Sequence, residues 1–561
     1  MKKDYSILIG GAAGEGSRVA GLIGAKLLNK LGYRIFIYDD YQSLIRGGHN
    51  FSKIRASEKN ILSQRRGIDF LLALNKDTAV RHRDELEQKG IIIYNSDKMK
   101  DKGIGIPIEK ITKEEGGIPI MKNVALLGGF AKVIGMDWKI AEEVFKKELT
   151  KKTDLNLKIA KRAYRETKNL IKIEKLDQEP LSLLTGNEAI SLGAVKAGLN
   201  LYLAYPMTPA SSILHYLAAH QEEFGIAVSH PENEIAVINM ALGAAYAGAR
   251  TMVGTSGGGF ALMTEALSMA AQSETPILIV ESQRTAPSSG VPTYTGQGDL
   301  FFVMGAGHGD FLRFVIAPGD AEEAFYLTGE ALNLAWKYQT PAILLVDKEV
   351  SENTFSVDKD IEKKVRPAFG EARLKRRPEN FLARNKKGNY KRYKDTKGGI
   401  SPLAFPGQKN IISKATSYEH DEFGISTEEE KDIEKMQNKR LKKFKKMAQE
   451  VEKLEAVKTY GKKNSQKAIV VWGSTKGPAL EAVEKLGIKM IQPIFFQPFP
   501  EKQMRKALKG VEKLISIEGN SLGQMEQVLR CYGIKPDNRI LKYTGRPFLP
   551  EEIEEKLKKI I

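Results

Sequence analysis

The sequence predicts a multi-domain α/β protein with largely parallel sheets, on three observations. The chain opens with strand, glycine turn, helix and strand over residues 5–38. Apolar runs at 276–280 and 341–346, too continuous for half-exposed strands, alternate with Ala-rich helical stretches. A second strand and glycine turn stand near the end, at 468–474. With 561 residues, 42% of them hydrophobic, the chain has apolar side chains for several cores and too many for one compact domain.

Taken in order, Tyr5-Ser6-Ile7-Leu8-Ile9 reads as a buried strand, followed by a glycine-rich turn and a helix over 18–31 carrying Gly21 and Gly24. Further strands are expected at 34–38, 70–74 and 91–94, and a Lys-rich helical tract at 137–170 closes the first unit. Residues 176–184 form a linker into a second α/β unit with helical stretches at 236–249, 261–271 and 321–336. The segment 361–425, basic and punctuated by Gly and Pro, reads as a long irregular connection. A helix over 428–457 follows, with Met436, Leu441, Phe444, Met447, Val451, Leu454 and Val457 at three- and four-residue steps. That stripe predicts an apolar face docked on a domain or partner subunit. A small α/β unit then ends the chain. The expected boundaries are 1–170, 180–360, a connector and long helix at 361–460, and 465–561.

The formal net charge of +18 averages segments of opposite sign. Residues 181–350 hold 6 basic against 16 acidic side chains, and residues 361–400 hold 14 against 4. No nucleic-acid reading module accompanies the positive excess, so it reads as solvated faces and a partner-facing connector. The apolar stretch 235–249 is packed with Ala and Gly and lies between Glu234 and Arg250, so no membrane association is expected. The start runs straight into a strand with no signal-peptide pattern, and the expected location is cytoplasmic. Cys531 is the one cysteine; it cannot form an internal disulfide, nor hold an iron–sulfur cluster, which needs about four ligands. Nothing resembles a zinc site or a Ser/His/Asp triad, and no metal ligands are expected.

Several motifs can carry chemistry. Gly10, Gly11, Gly14 and Gly16 form either a phosphate cradle at a helix start or a tightly packed turn. Their spacing is not the dinucleotide fingerprint, and no Gly-Lys-Ser/Thr marks a P-loop. Arg46, His49 and Asn50 crowd a Gly-Gly turn that faces a ligand or solvent. In the run Tyr205-Pro206-Met207-Thr208-Pro209-Ala210-Ser211-Ser212, prolines hold the chain while Thr208, Ser211 and Ser212 offer hydroxyls to a ligand or to the next helix. Glu232 and Glu234 precede an Ala/Gly-rich helix, whose dipole favours a carboxylate; surface capping is the alternative. Gly257 and Gly258 open the backbone at 255–259 to close approach. Arg284, at a strand end, suits bidentate binding of a carboxylate or an ion pair between domains. His308, flanked by Gly307 and Gly309, is the most ligand-like histidine.

Together these runs resemble the α subunit of 2-oxoacid:ferredoxin oxidoreductases with a γ domain fused to its N-terminus. YPMTPASS at 205–212 is similar to that family's YPITPSS signature, with Met207 and Ala210 as departures. GGAAGEG at 10–16 and SLIRGGHN at 43–50 resemble γ-domain signatures. Residues 230–267, which open HPENEIAV, and ESQRTAPSSGVPTYTGQGDL at 281–300 match two further family segments; GISPLAFPG, SYEHDEFG, VVWGSTKG and EGNSLGQ also fit. The resemblance covers nearly the whole chain.

It implies a γ-type α/β domain, a pyrimidine-type thiamine-diphosphate-binding domain and a transketolase C-terminal-like α/β domain. The implied activity is oxidative decarboxylation of a 2-oxoacid with thiamine diphosphate. Coenzyme A takes the acyl group, and electrons pass through a [4Fe-4S] cluster to ferredoxin. By matched position, Glu234, with Glu232 as alternative, meets the aminopyrimidine ring and promotes its imino form. Thr208, Arg284 and His308 are matched to substrate recognition and proton handling. Tyr205, Pro206, Ser211, Gly257 and Gly258 line the cofactor, and Gly14, Gly16, Arg46, His49 and Asn50 are candidates for substrate or coenzyme A contact. No GDG followed by an Asn pair is present, so the Mg2+–diphosphate half of the cofactor site and the cluster cysteines are assigned to a β subunit, in a heterodimer or a dimer of heterodimers. The substrate expectation is 2-oxoglutarate, with pyruvate or a broad 2-oxoacid range as alternatives. A non-catalytic paralogue is the rival of another class.

Overall fold

The computed structural model describes residues 3–43, 48–366 and 390–561. They form two compact units, one of Met1–Leu184, Glu352–Lys359 and Leu549–Glu555, the other of Thr185–Ser351, Asp360–Phe548 and Lys556–Ile561. The architecture is α/β throughout.

The first unit is built on a mixed sheet whose order is Ile104–Ile106, Leu86–Asn95, Ile68–Ala73, Asp4–Ala12, His49–Ser57, Arg34–Asp40, Thr354–Val357 and Ser182–Thr185. The first four strands run parallel, but His49–Ser57 is antiparallel to both of its neighbours. The apolar pattern of the sequence does not reveal this strand, because Lys53 and Arg55 interrupt it. Both are buried: Arg55 donates to Asp4 at 2.7 Å and Lys53 to Glu85 at 3.2 Å, so paired carboxylates carry the charges into the sheet. The helix Ser17–Lys30 packs on the same strand, and a Cβ at Gly21 would collide with Ser52.

The second unit holds two sheets. In the larger, six neighbouring strands run parallel: Pro341–Asp347, Ile277–Gln283, Thr251–Thr255, Leu201–Leu203 and Ala227–Ser229, with Phe314–Ile316 on the other side of Pro341–Asp347. The first three are buried along their whole length, as a parallel sheet covered by helices requires. The smaller sheet has the order Val457–Gly461, Lys489–Pro493, Lys467–Val471, Lys513–Glu518 and Asn538–Leu541 and is parallel except at its first strand. The two sheets share one core, in which Val253, Leu267 and Leu345 cluster with Val470, Trp472 and Met525. A buried charge network joins them as well. Lys476 donates to Glu323 at 2.6 Å and also to Asp320, and Lys458 and Gln492 reach Glu323 at 2.9 and 2.8 Å. Burial pushes Glu323 up, but the two ammonium groups outweigh it and hold the carboxyl far below the usual carboxylate range.

The late helix spans Glu430–Val451, shorter than its apolar pattern suggests, because Val457–Gly461 leaves the helical path to pair with Lys489–Pro493. Its buried face carries Lys439, Arg440 and Lys443 beside Met436, Met447 and Val451, while Leu441 is exposed. Lys443 donates to the fully buried Glu274 at 2.5 Å, and Lys439 to the same carboxylate. Burial lowers Lys443 to about 8. The same burial pushes Glu274 up, yet both ammonium groups hold it well below its ordinary value.

Among the described residues no helix is long and apolar enough to cross a membrane, and no group of His, Cys, Asp and Glu could hold a metal ion. Glu274→Gln leaves two buried ammonium groups without their counter-charge. It is expected to destabilise the second unit by about 3–5 kcal/mol, read from the midpoint of urea unfolding; a loss below about 1 kcal/mol means that the ammonium groups escape to solvent.

Candidate functional site

The parallel strands of the second unit's larger sheet send their C-terminal ends to one sheet edge, the usual place for a ligand in such sheets. There they deliver the Tyr205–Ser212 run, Glu234, the glycine-rich start of the helix Gly257–Leu262, which stands where the sequence suggested a turn, and Glu281 with Arg284. Asn187 pins the first of these, its Nδ2 donating to the carbonyl of Pro209 at 2.8 Å and to Ser212 Oγ at 2.7 Å. Tyr205 is exposed and meets His230 edge-on; Pro206, Thr208 and Ser211 are half-buried.

Glu234 is the first residue of the helix Glu234–Tyr246, which Asn233 caps by accepting from the amide of Ala236 at 2.9 Å. Glu234 is 4% exposed, whereas Glu232 is exposed. The Glu234 carboxylate lies over this helix start: a Cβ at Gly259 would stand 2.6 Å from its Oε1 and would also collide with Thr255 Oγ1. A Cβ at Gly258 would meet nothing, and Ser256 Oγ, at the helix N-cap, is buried without a partner. The helix start therefore leaves open space beside a buried carboxylate and an unsatisfied hydroxyl.

Arg284 is half-buried, and its Nη1 donates to the carbonyl of Thr208 at 2.9 Å, which joins two of the loops. It lines a cleft of about 290 Å³ with Asp299, Gly296, Asn520 and Tyr543. Gln297 sets the wall of that cleft. It donates to the carbonyl of Trp472 at 3.0 Å and to Asp347 at 3.2 Å, and it accepts from the amide of Gly519 at 2.7 Å. Burial pushes Asp347 above its ordinary range. His308 is exposed, and only its backbone N–H is engaged, donating to Ser268 Oγ at 2.9 Å. No contact brings its ring to Glu234 or Arg284.

The remaining candidates belong to the first unit. Sheet register sets Ala12 opposite His49 and Gly11 opposite Asn50, so the glycine turn and the 49–50 pair are neighbours. Gly14 and Gly16 adopt φ of 90° and 77°, where a side chain is strained. Within the turn the amide of Ala12 donates to Glu15 Oε2 at 2.7 Å, Asn75 reaches the same oxygen at 3.0 Å, and Lys122 lies 3.3 Å from Oε1. The chain's own carboxylate thus accepts from the turn's amide. Asn50 accepts from the amide of Gln42 at 3.3 Å. Buried His49 shares a 2.8 Å Nε2–Nε2 hydrogen bond with His82, which meets Glu85 at 2.6 Å. Burial, reinforced by His82, lowers His49 to about 4. Arg46 lies outside the described residues.

Residues 192–439 match the family described as pyruvate flavodoxin/ferredoxin oxidoreductase, thiamine diphosphate-binding, and residues 6–166 match pyruvate ferredoxin/flavodoxin oxidoreductase. The 2-oxoacid:ferredoxin oxidoreductase subunit alpha of Saccharolobus solfataricus is 33% identical over 629 residues, covering 99% of this chain and 98% of that protein. The chain belongs to the 2-oxoacid:ferredoxin oxidoreductase α subunits. This α subunit is also 31% identical to the 2-oxoglutarate synthase subunit KorA of Archaeoglobus fulgidus, over 67% of this chain and 98% of that one. Its structure is similar to that of the 2-oxoglutarate:ferredoxin oxidoreductase of Magnetococcus marinus, with a TM-score of 0.88, 30% identity and full coverage of both chains. The protein is accordingly one subunit of an oxidoreductase, and it contains a thiamine diphosphate-binding domain.

Sequence reasoning had no signal for Asn187 or Gln297, whose roles depend on loops distant in the chain. Glu281 and Asp299 stand at the two ends of the quoted 281–300 segment, but nothing there shows that they meet.

Gly259→Ala displaces the Glu234 carboxylate. Turnover of the assembled oxidoreductase is expected to fall about 10²-fold, with a stability cost of about 1–3 kcal/mol; unchanged turnover in a folded variant means that the carboxylate's seat is dispensable. In the first unit, His49 binds its proton less readily folded, at about 4, than unfolded, at 6.5. The unfolded chain therefore takes up more protons between those values, and stability falls as pH drops through that window. Thermal unfolding from pH 6.5 to 5 should show that slope, and His49→Gln should reduce it.

Proposed function

We propose that this α subunit works with a β subunit to decarboxylate 2-oxoglutarate oxidatively, forming succinyl-CoA and CO2 and reducing ferredoxin. The observation that carries the reading is the convergence of buried Glu234, the open glycine-rich helix start at 257–259 and Arg284 at one edge of a parallel sheet. Residues 1–170 would serve as the γ-type domain, 180–360 as the pyrimidine-binding domain and 465–561 as the transketolase C-terminal-like domain, joined by the 361–460 connector.

The residues present fit the pyrimidine end of thiamine diphosphate: a buried carboxylate, open space at Gly258 in a glycine-rich helix start that a side chain would fill, and an unpartnered Ser256 hydroxyl. When bound, that cofactor supplies the carbon nucleophile and the electron sink that decarboxylation needs. In this reading Glu234 moves a proton between its carboxyl oxygen and a pyrimidine nitrogen. Gly257, Gly258 and Ser211 line the ring, and Tyr205 and Pro206 shape the turn around it. Thr208 and Arg284 bind the carboxylate of the 2-oxoacid, with Arg284 pre-oriented by the Thr208 carbonyl. His308, on an exposed loop, would handle protons only through a rearrangement or a partner surface. Mg2+ and the [4Fe-4S] cluster fall to the β subunit, since exposed Cys531 is the chain's one cysteine. Large apolar side chains left exposed on the site-bearing elements, Ile235, Met240, Leu262 and Phe301, suit a protein partner there. The first unit's Gly14, Gly16, Arg46, His49 and Asn50 are retained as contacts for coenzyme A. The complex would be a cytoplasmic heterodimer or a dimer of heterodimers.

The choice of 2-oxoglutarate draws support from the KorA relative and from the Magnetococcus marinus enzyme, which holds 2-oxoglutarate, coenzyme A and succinyl-CoA. The Saccharolobus relative is named for 2-oxoacids generally, which keeps pyruvate or a broad range as the second reading. The anaerobically isolated complex is expected to reduce viologen with 2-oxoglutarate faster than with pyruvate, and only with coenzyme A. A pyruvate rate equal to or above that with 2-oxoglutarate selects the broad-range reading, and no β subunit or thiamine in the complex rejects catalysis. Arg284→Met is expected to raise KM for the 2-oxoacid about 10²-fold or more, the effect of unpairing a desolvated carboxylate.

A further inference from the structure

Beside Arg284 stands a carboxyl that the reading above does not use. Glu281 sits near the end of the strand Ile277–Gln283, fully buried, opposite Thr255 on one neighbouring strand and Leu345 on the other. Neither of its oxygens receives an N–H or hydroxyl. The charged groups acting on it are Asp299 and Arg284, and Asp299 is within hydrogen-bonding reach. Asp299 is itself held in place: its amide donates to Gln283 Oε1 at 3.0 Å, and a Cβ at Gly257 would stand 2.7 Å from its Oδ2. Two carboxyl groups without other donors can hydrogen-bond only when one keeps its proton, and a bare buried carboxylate is far costlier than a neutral acid.

We propose that Glu281 is a protonated carboxylic acid donating to the Asp299 carboxylate, and that this pair thereby leaves a single negative charge in the wall of the cleft that Asp299 and Arg284 line together, where Arg284 receives the carboxylate of the 2-oxoacid. Glu281 is the member that keeps the proton because it lies deeper. Burial first, then the charge of Asp299, raises it well above the usual range, with Arg284 pulling the other way. Burial also lifts Asp299, but the hydrogen bond from Glu281 and the charge of Arg284 limit it to about 6. The Thr208 carbonyl holds the guanidinium, and a single charge in the cleft wall leaves Arg284 its attraction for an anion, whereas two charges would repel the incoming carboxylate. Glu281 and Asp299 are positioning residues, and their role rests on the reading that Arg284 receives the substrate carboxylate.

The test uses the assembled α and β subunits. Difference infrared spectra of native against E281Q protein at pH 7 should show the C=O band of a protonated carboxyl in the native protein only; absence of that band overturns the proton assignment. In kinetics, E281L is expected to raise KM for 2-oxoglutarate about tenfold. E281Q, isosteric with the protonated acid and able to donate to Asp299, should rescue most of that loss. A loss in E281Q equal to that in E281L means that Glu281 works as an anion and overturns the proposal. Native kcat/KM should rise with pH through about 6 as Asp299 ionises, and D299N should flatten that limb; an unchanged limb overturns the positioning role. If R284M leaves KM unaltered, the substrate-carboxylate reading and the positioning role fall together, while the infrared band still decides where the proton sits.

Discussion

Parallel pairing of six strands is the constraint on which the second unit's candidate site depends. Strands running the same way put all their C-terminal ends on one edge, however far apart their loops are in the chain. That is how Thr208, Glu234, Gly259 and Arg284 become neighbours across more than seventy residues of sequence. The loops then fix one another. Asn187 ties down the proline turn, Arg284 reaches from one loop to the carbonyl of another, and Gln297 joins the 284–299 loop to the smaller sheet. A change in any of these acts on the site through geometry.

Buried charge is the second recurring device, and in each case the pairing sets the protonation state. Around Glu274 and Glu323 two ammonium groups surround each carboxylate, so the carboxylate stays ionised despite complete burial. Around Glu281 the nearest neighbour is another carboxyl and a single guanidinium acts on both, so the balance favours a retained proton. The first two networks fasten a helix and a sheet to the domain core. The third reaches the wall of the cleft through Asp299, which lines it together with Arg284.

In the first unit the glycine turn presents an anion-favouring geometry, and Glu15 answers it from within the chain. A turn amide offered to a phosphate is equally served by a carboxylate three residues away, because both supply an anionic oxygen to an N–H. A phosphate-bearing ligand at this turn would therefore displace or share the position of Glu15. The His49–His82–Glu85 chain lies alongside through the Ala12–His49 register.

The sequence by itself determined the α/β class, the opening strand and helix, the buried strands of the second unit and the position of the late helix. Each rests on local apolar periodicity, which is written in consecutive residues. The family motifs likewise marked Thr208, Glu234 and Arg284 as candidates. Only the tertiary structure shows that Glu234 is buried and Glu232 exposed, a difference between two carboxylates two residues apart that no local pattern records. It also revealed the strand His49–Ser57 and the lysine-lined face of the Glu430–Val451 helix, both disguised by charges whose partners lie far along the chain. The meeting of Glu281 with Asp299 belongs to the same class. A buried charge is legible only together with its partner, and no local pattern records which distant residue that partner is.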